Sequence, residues 1–268
     1  MLMAKLLSVP LRALSGRRYT WDNIMHLRST MPSKRIVLLG GGNVGSHLAR
    51  ACSSLSGYSL IWHYERRKGM LLTDIPRDAD LYIFALTDTA LESVWQEMPS
   101  TGGVWIHVSG STPLDSLTKY HADGAVLYPL QTFSRNRDIE WKHVPLYYEG
   151  HEEARLLAEA LSTHTAFASS EGRRKLHLAA VLACNYSNYL VTLAEEYLSA
   201  EGFEAKTLLP LLRETFQKLE ALPASEAQTG PAIRGDRTIV EQHKALLSGD
   251  TLAVYTLLAE QLLSRSKR

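Results

Sequence analysis

Arg35-Ile36-Val37-Leu38-Leu39-Gly40-Gly41-Gly42-Asn43-Val44-Gly45-Ser46-His47-Leu48 runs from an apolar, β-branched stretch into G-x-G-x-x-G and on into a helical apolar pattern. The three defining glycines each answer a mechanical demand. Gly40 permits a tight turn, Gly42 lets the backbone approach a diphosphate, and Gly45 lets the helix pack close to the strand. The helix that follows, with Asn43 and Val44 in its first turn, offers unpaired N–H groups and the positive end of a dipole. The stretch therefore predicts a dinucleotide-binding turn. A phosphate loop of the Walker type is excluded, because His47 follows Ser46 where a Gly-Lys-Ser/Thr ending is required.

Working outward, Leu60-Ile61-Trp62-His63-Tyr64 reads as the second strand and is followed by Glu65-Arg66-Arg67-Lys68. Coenzyme selectivity is set about 20 residues beyond the glycines, where an acid binds the ribose 2′-hydroxyl and an arginine accommodates a 2′-phosphate. Glu65 and Arg66 both fall in that window. Three successive cations favour a phosphate-binding corner with Arg66 as its bidentate grip, hence NADP over NAD. The competing reading is a solvated surface turn.

Further apolar runs cover residues 79–86, 104–108, 125–130 and 144–148, with helical patterns at 44–55 and 90–98. Strands alternating with helices predict an α/β, Rossmann-type doubly wound sheet. Ligands in such sheets lie outside the carboxyl ends of the strands, so Leu86, Thr87 and Ser109 are expected to line the coenzyme crevice. From residue 169 the texture changes to helical spacing, seen at Leu176, Ala180, Ala183, Ser187, Leu190, Ala194 and Leu198. The expected division is an N-terminal extension over 1–32, a dinucleotide-binding domain over 33–168 and an all-helical substrate and dimerisation domain over 169–268. The Ala- and Leu-rich helix suits a homodimer contact, although an intrachain core explains the same stripe.

Composition narrows the classes of partner. The chain has 268 residues, 45% of them apolar, enough for one large domain or two modest ones. A net charge of +1 makes no electrostatic case for nucleic acid or an anionic membrane as partner. No apolar run approaches the roughly 20 residues of a membrane helix. Cys52 and Cys184 are far apart without metal-type spacing, which predicts a reducing, cytoplasmic setting and no metal site. Before Met31 stand Lys5, Arg12, Arg17, Arg18 and Arg28 against the single acid Asp22; this reads as a transit peptide or, preferably, as an extension.

With these residues laid out, the chain resembles bacterial proteins that join a Rossmann-like NADP-binding domain to a helical domain of unknown function, number 2520, named as NADP oxidoreductases. The resemblance covers nearly everything from Lys34 onward. It rests on the glycine turn, Leu86-Thr87-Asp88, His107-Val108-Ser109-Gly110-Ser111 and Tyr128-Pro129-Leu130-Gln131-Thr132-Phe133-Ser134. In the helical part it rests on residues 177–185, Thr229-Gly230-Pro231 and Arg234-Gly235-Asp236. More distantly the plan is similar to pyrroline-carboxylate reductases and 6-phosphogluconate dehydrogenase-like enzymes. The DUF2520-bearing family often carries His where this chain has Tyr128. The resemblance implies an NADP-dependent oxidoreductase without naming a substrate.

A nicotinamide reductase needs a group to protonate the anion that develops as hydride arrives. His177 is the leading candidate, since imidazole titrates near neutrality. Asn185, eight residues on, is expected about 80° round the same helix and could orient a carbonyl or imine. Ser111, Gln131, Thr132 and Arg234 are the expected substrate contacts, Arg234 for an anionic group. A packed or surface histidine remains the alternative for His177, and a structural hydrogen bond the alternative for Asn185. The leading expectation is reduction of a small carbonyl or imine in a cleft between the domains. The alternative is a non-catalytic NADP(H)-binding sensor or interaction protein.

Overall fold

The computed structural model describes residues 32–266, so the extension expected over 1–32 lies, up to residue 31, outside the described residues. One sheet organises the first compact unit, which runs to Val181. Its strands are β1 (Lys34–Leu39), β2 (Tyr58–Tyr64), β3 (Leu81–Phe84), β4 (Val104–His107), β5 (Gly124–Pro129), β6 (Leu146–Gly150) and β7 (Thr165–Phe167), in the spatial order β2-β1-β3-β4-β5-β6-β7. The first five run parallel, β6 is antiparallel to β5, and β7 is parallel to β6. From β1 the chain goes first to one side and then to the other, which creates the switch point where an open sheet binds its ligand. Leu39 pairs with Phe84 and Phe84 with His107, so the carboxyl ends of β1, β3 and β4 are level.

Both faces of the sheet are covered, which is why its strands read as unbroken apolar runs. Ile36, Leu38, Ile83, Ile106 and Leu127 face Leu48 and Cys52 of α1 (Asn43–Ser54) and Leu157 of α4 (Glu152–Leu161). Val37, Leu39, Tyr82, Phe84 and Trp105 face Leu91 and Trp95 of α2 (Asp88–Glu97) and Leu117 of α3 (Leu114–Thr118). A slip of one residue in any strand would exchange these two sets, and each fully buried aliphatic side chain is worth about 1.5–3 kcal/mol. Register is therefore strongly specified.

The strand signal ends with β7, yet the compact unit continues through α5 (Ser170–Ala180). Arg173 of α5 is 1% exposed and holds that helix to the sheet by contacts described below. Beyond α5 a π-helical turn (Val181–Tyr186) leads into α6 (Ser187–Ala200). The second unit, from Leu182, contains α6, α7 (Leu209–Gln217), α8 (Ala224–Ala227), α9 (Arg237–Ala245) and α10 (Gly249–Ser266). Asp236 caps α9 by accepting the Ile239 N–H at 3.2 Å, as its position before that helix implies. Ala232, Val240, Ala259 and Leu263 form a small core there, while Phe203, Leu211, Phe216, Leu246 and Leu257 are exposed. Among the described residues no helix is long and apolar enough to cross a membrane.

Candidate functional site

The turn after β1 is shaped as its glycines require. Gly40 has φ +121°, and a Cβ there would run into the Ala85 carbonyl. A Cβ on Gly45 would strike the Gly40 carbonyl, whereas one on Gly42 would meet nothing within 4 Å. Gly42 is the N-cap of α1; no side chain caps this helix and no acid lies in its first turn. The first N–H groups of a helix lack intrahelical acceptors, so those of Asn43 and Val44 face an open side with the dipole behind them. These residues fit the diphosphate of a dinucleotide: the space is open where phosphate would approach and closed where strand, turn and helix must touch. Leu86 lies against this turn, 3.2 Å from where a Gly40 Cβ would be, and Thr87 is the N-cap of α2.

A second segment reaches the same turn from the far side of the site. Residues 130–135 leave β5 and return toward α1. The Asn43 side-chain amide donates to the Phe133 carbonyl at 2.9 Å, His47 Nε2 lies 2.9 Å from the Ser134 carbonyl, and the Arg135 guanidinium donates to the Gly41 carbonyl. His47, 2% exposed, also packs its ring on Phe133 at 5.4 Å. Gln131 and Thr132 are exposed along this strap, and the Gln131 side chain accepts the Thr132 N–H at 2.8 Å. At the end of β2, the Glu65 carboxylate lies over Gly41 and accepts a 2.5 Å hydrogen bond from Lys68. Lys68 is the main reason that carboxyl sits below its ordinary range. Arg66 is exposed and makes no side-chain hydrogen bond among the described residues.

The third element is the turn after β4, tied down from within. The Ser109 hydroxyl accepts the N–H groups of Ser111 at 3.1 Å and Thr112 at 2.8 Å, and the Ser109 N–H donates to His107 Nδ1 at 3.2 Å. Arg173 grips it from below, donating to the Ser109 carbonyl at 3.1 Å and the Thr112 carbonyl at 2.5 Å. Its remaining fork pairs with Glu149 at 2.5 Å. Ser109 is 7% exposed and its hydroxyl is committed to the turn, which leaves Ser111 and Thr112 as the half-buried hydroxyls of this loop.

On that turn rests a pair of side chains from β5 and α5. Tyr128 Oη and His177 Nδ1 are 3.0 Å apart, with the rings edge-on at 81°. Gly110 makes their approach possible: a Cβ there would lie 2.8 Å from both the His177 ring and the Tyr128 ring. Burial raises the Tyr128 phenol above its ordinary pKa, so it stays protonated at neutral pH. A phenol that donates to Nδ1 keeps the imidazole hydrogen on Nε2, where it can be given to a bound molecule.

Asn185 is an exposed residue of the π-helical turn and belongs to the second unit. A π stretch breaks the regular α-helical spacing from which its angular position was expected. Arg234 is exposed in a loop of the same unit, closed by the Asp236 N–H to the Pro231 carbonyl at 3.0 Å. Sequence reasoning passed over His47, Arg135 and Arg173, and treated Tyr128 only as a departure from the family. The buried cation was detectable as an arginine three residues into a helix that follows a strand edge; the latches of the strap carry no sequence signal.

Fold and site together define a Rossmann-type α/β protein with a helical C-terminal unit and a titratable pair near the ligand-binding ends of its strands. A family model described as a domain of unknown function (DUF2520) matches residues 147–262. A putative NADP oxidoreductase from Bacteroides fragilis is 31% identical, with a TM-score of 0.81 over 87% of this chain and 99% of that one. The chain belongs to the same family as this Bacteroides fragilis protein, and its residues 147–262 carry the DUF2520 region. An Aspergillus terreus reductive aminase in complex with NADPH and ethyl levulinate shares the fold at 16% identity and TM-score 0.62, covering 87% of this chain and 94% of that one. So does a Myxococcus stipitatus imine reductase in complex with NADP+, at 16% identity and TM-score 0.58 over 88% and 93%. No curated protein matches the chain.

Proposed function

We propose that the protein is an NADP(H)-dependent reductase of a small carbonyl or imine. The observation that carries this reading is the Tyr128–His177 pair, 3.0 Å apart, in the same compact unit as the open glycine turn. When bound, the coenzyme would supply hydride to an electrophilic carbon. Asn43, Val44 and the glycine turn would hold its diphosphate, and Arg66 its 2′-phosphate. Leu86, Thr87 and the turn carrying Ser109 would border the rest. His177 gives the Nε2 proton to the oxygen or nitrogen that gains charge, while Tyr128 holds the tautomer. Ser111, Gln131 and Thr132 offer polar groups to orient the substrate; the roles expected of Asn185 and Arg234, which belong to the second unit, are to be probed by substitution.

The test is NADPH oxidation against a panel of keto acids and cyclic imines. His177→Ala should slow turnover by about 100- to 10,000-fold while NADPH still binds. Turnover unaffected by this substitution would remove His177 from the chemistry. A non-catalytic NADP(H) sensor is the second reading, favoured by Tyr128 standing where the family often has His; it predicts tight binding and no turnover with any substrate. The exposed apolar side chains of the helical unit support a homodimer built on that unit, to be checked by light scattering of the purified protein. Free Cys52 and Cys184 accord with the cytoplasmic setting we propose.

A further inference from the structure

The strap after β5 does more than close over the sheet. Between β5 and β1 lie β4 and β3, so the strap must cross three strand spacings, about 14 Å in all. Six residues at about 3.3 Å each are sufficient if nearly extended. At the end of that crossing three consecutive residues are latched: Phe133 by Asn43, Ser134 by His47, and Arg135 on the Gly41 carbonyl. Arg135 is thereby delivered to the one glycine over which the Glu65 carboxylate lies. The corner at the end of β2 thus holds an acid flanked by Lys68 at 2.5 Å, His63 at 3.9 Å and a guanidinium arriving from a distant part of the sequence.

That acid poses a problem for the coenzyme reading on which this inference rests. A carboxylate in this place accepts a ribose hydroxyl but repels a 2′-phosphate, whose charge at neutral pH is about −1.5 to −2. Lys68 is already engaged by the carboxylate, and Arg66 points into solvent without a partner among the described residues. Arg135 holds only a backbone carbonyl, an acceptor that a phosphate outcompetes because both partners are then charged. We propose that Arg135, carried by the strap, is a specificity-determining residue that grips the 2′-phosphate of NADPH and offsets the repulsion from Glu65. Selectivity in this chain is then divided between the β2 corner, where Arg66 stands, and a residue about seventy positions away in sequence.

Calorimetry with NADPH, NADH, adenosine 2′,5′-bisphosphate and 5′-AMP tests this on the full chain. Arg135→Ala should weaken NADPH and the 2′,5′-bisphosphate by about tenfold or more, as expected for a lost charged hydrogen bond, and change NADH and 5′-AMP by less than about threefold. Arg135→Lys should retain part of the preference. Glu65→Gln should raise NADPH affinity markedly more in the Arg135→Ala background than in the native one, where Arg135 already offsets the carboxylate; equal gains in both backgrounds would show no coupling and overturn the proposal. Equal weakening of NADPH and NADH would assign Arg135 to the diphosphate and overturn the proposal, as would no change with either. If the unaltered protein binds neither nucleotide, the coenzyme reading itself falls, a result distinct from wild-type binding that Arg135 does not influence.

Discussion

Tyr128 stands where the family often carries histidine, and its side-chain partner is His177. A tyrosine in place of histidine removes a group that titrates near neutrality, yet here it puts a buried phenol 3.0 Å from an imidazole. If the phenol sets the tautomer, Tyr128→Phe should lower turnover by about tenfold or more while leaving NADPH affinity intact, the hydrogen bond being worth about 1 kcal/mol or more when buried. Steady-state rates beside calorimetric affinities separate the two effects. The same pair makes Gly110 intolerant of any side chain. Gly110→Ala inserts a methyl group 2.8 Å from both rings and should cost about 1–3 kcal/mol in urea unfolding, with a fall in turnover as the rings are pushed apart.

Helix α5 carries His177, and its position depends on Arg173. This arginine is 1% exposed and satisfied by the carbonyls of Ser109 and Thr112 and by Glu149, itself bonded to the N–H and hydroxyl of Ser170. Arg173→Leu strands a half-buried carboxylate and two carbonyls, and should destabilise the sheet-bearing unit by about 3–5 kcal/mol. Arg173→Lys should rescue little, because one ammonium cannot reproduce the planar fork; urea titrations of both variants check this. Elements with one dominant cause were legible in the sequence: the apolar runs of β1, β3, β4 and β5 and the glycine turn. The antiparallel turn of β6, the three-residue β7 and the π-helical turn were not, because each depends on hydrogen-bond partners far along the chain rather than on local periodicity. The end of the first compact unit was illegible for the same reason. Composition turns helical after residue 169, but Arg173 keeps α5 with the sheet. Of the candidate site, the glycine turn was legible and His177 could be singled out as a candidate; its contact with Tyr128 and the latching of residues 133–135 are products of tertiary packing.

At the scale of the molecule, burying His107 ties stability to pH. Its side chain is fully buried at the end of β4, Nδ1 accepts the Ser109 N–H, and Nε2 has no partner among the described residues. Burial first, and the nearby Arg173 charge second, push its pKa down from 6.5 to about 3. The folded value lies below the unfolded one, so above about pH 6.5 neither state binds a proton and nothing is lost. As pH falls below that, the unfolded chain protonates first, and stability declines by about 1.4 kcal/mol per pH unit until the folded value near 3 is reached. Between pH 7 and pH 5 the wild type should therefore lose about 2 kcal/mol from this group alone. His107→Asn keeps an acceptor for the Ser109 N–H but cannot titrate, and should flatten that part of the profile. Four of the five tryptophans, Trp62, Trp95, Trp105 and Trp141, lie on the described part of the sheet-bearing unit and the helical unit has none, so fluorescence-monitored urea unfolding follows chiefly this unit. An identical pH slope in the variant would show that His107 takes up its proton in the folded state, and that the turn it supports beneath Gly110 and His177 opens well above pH 3.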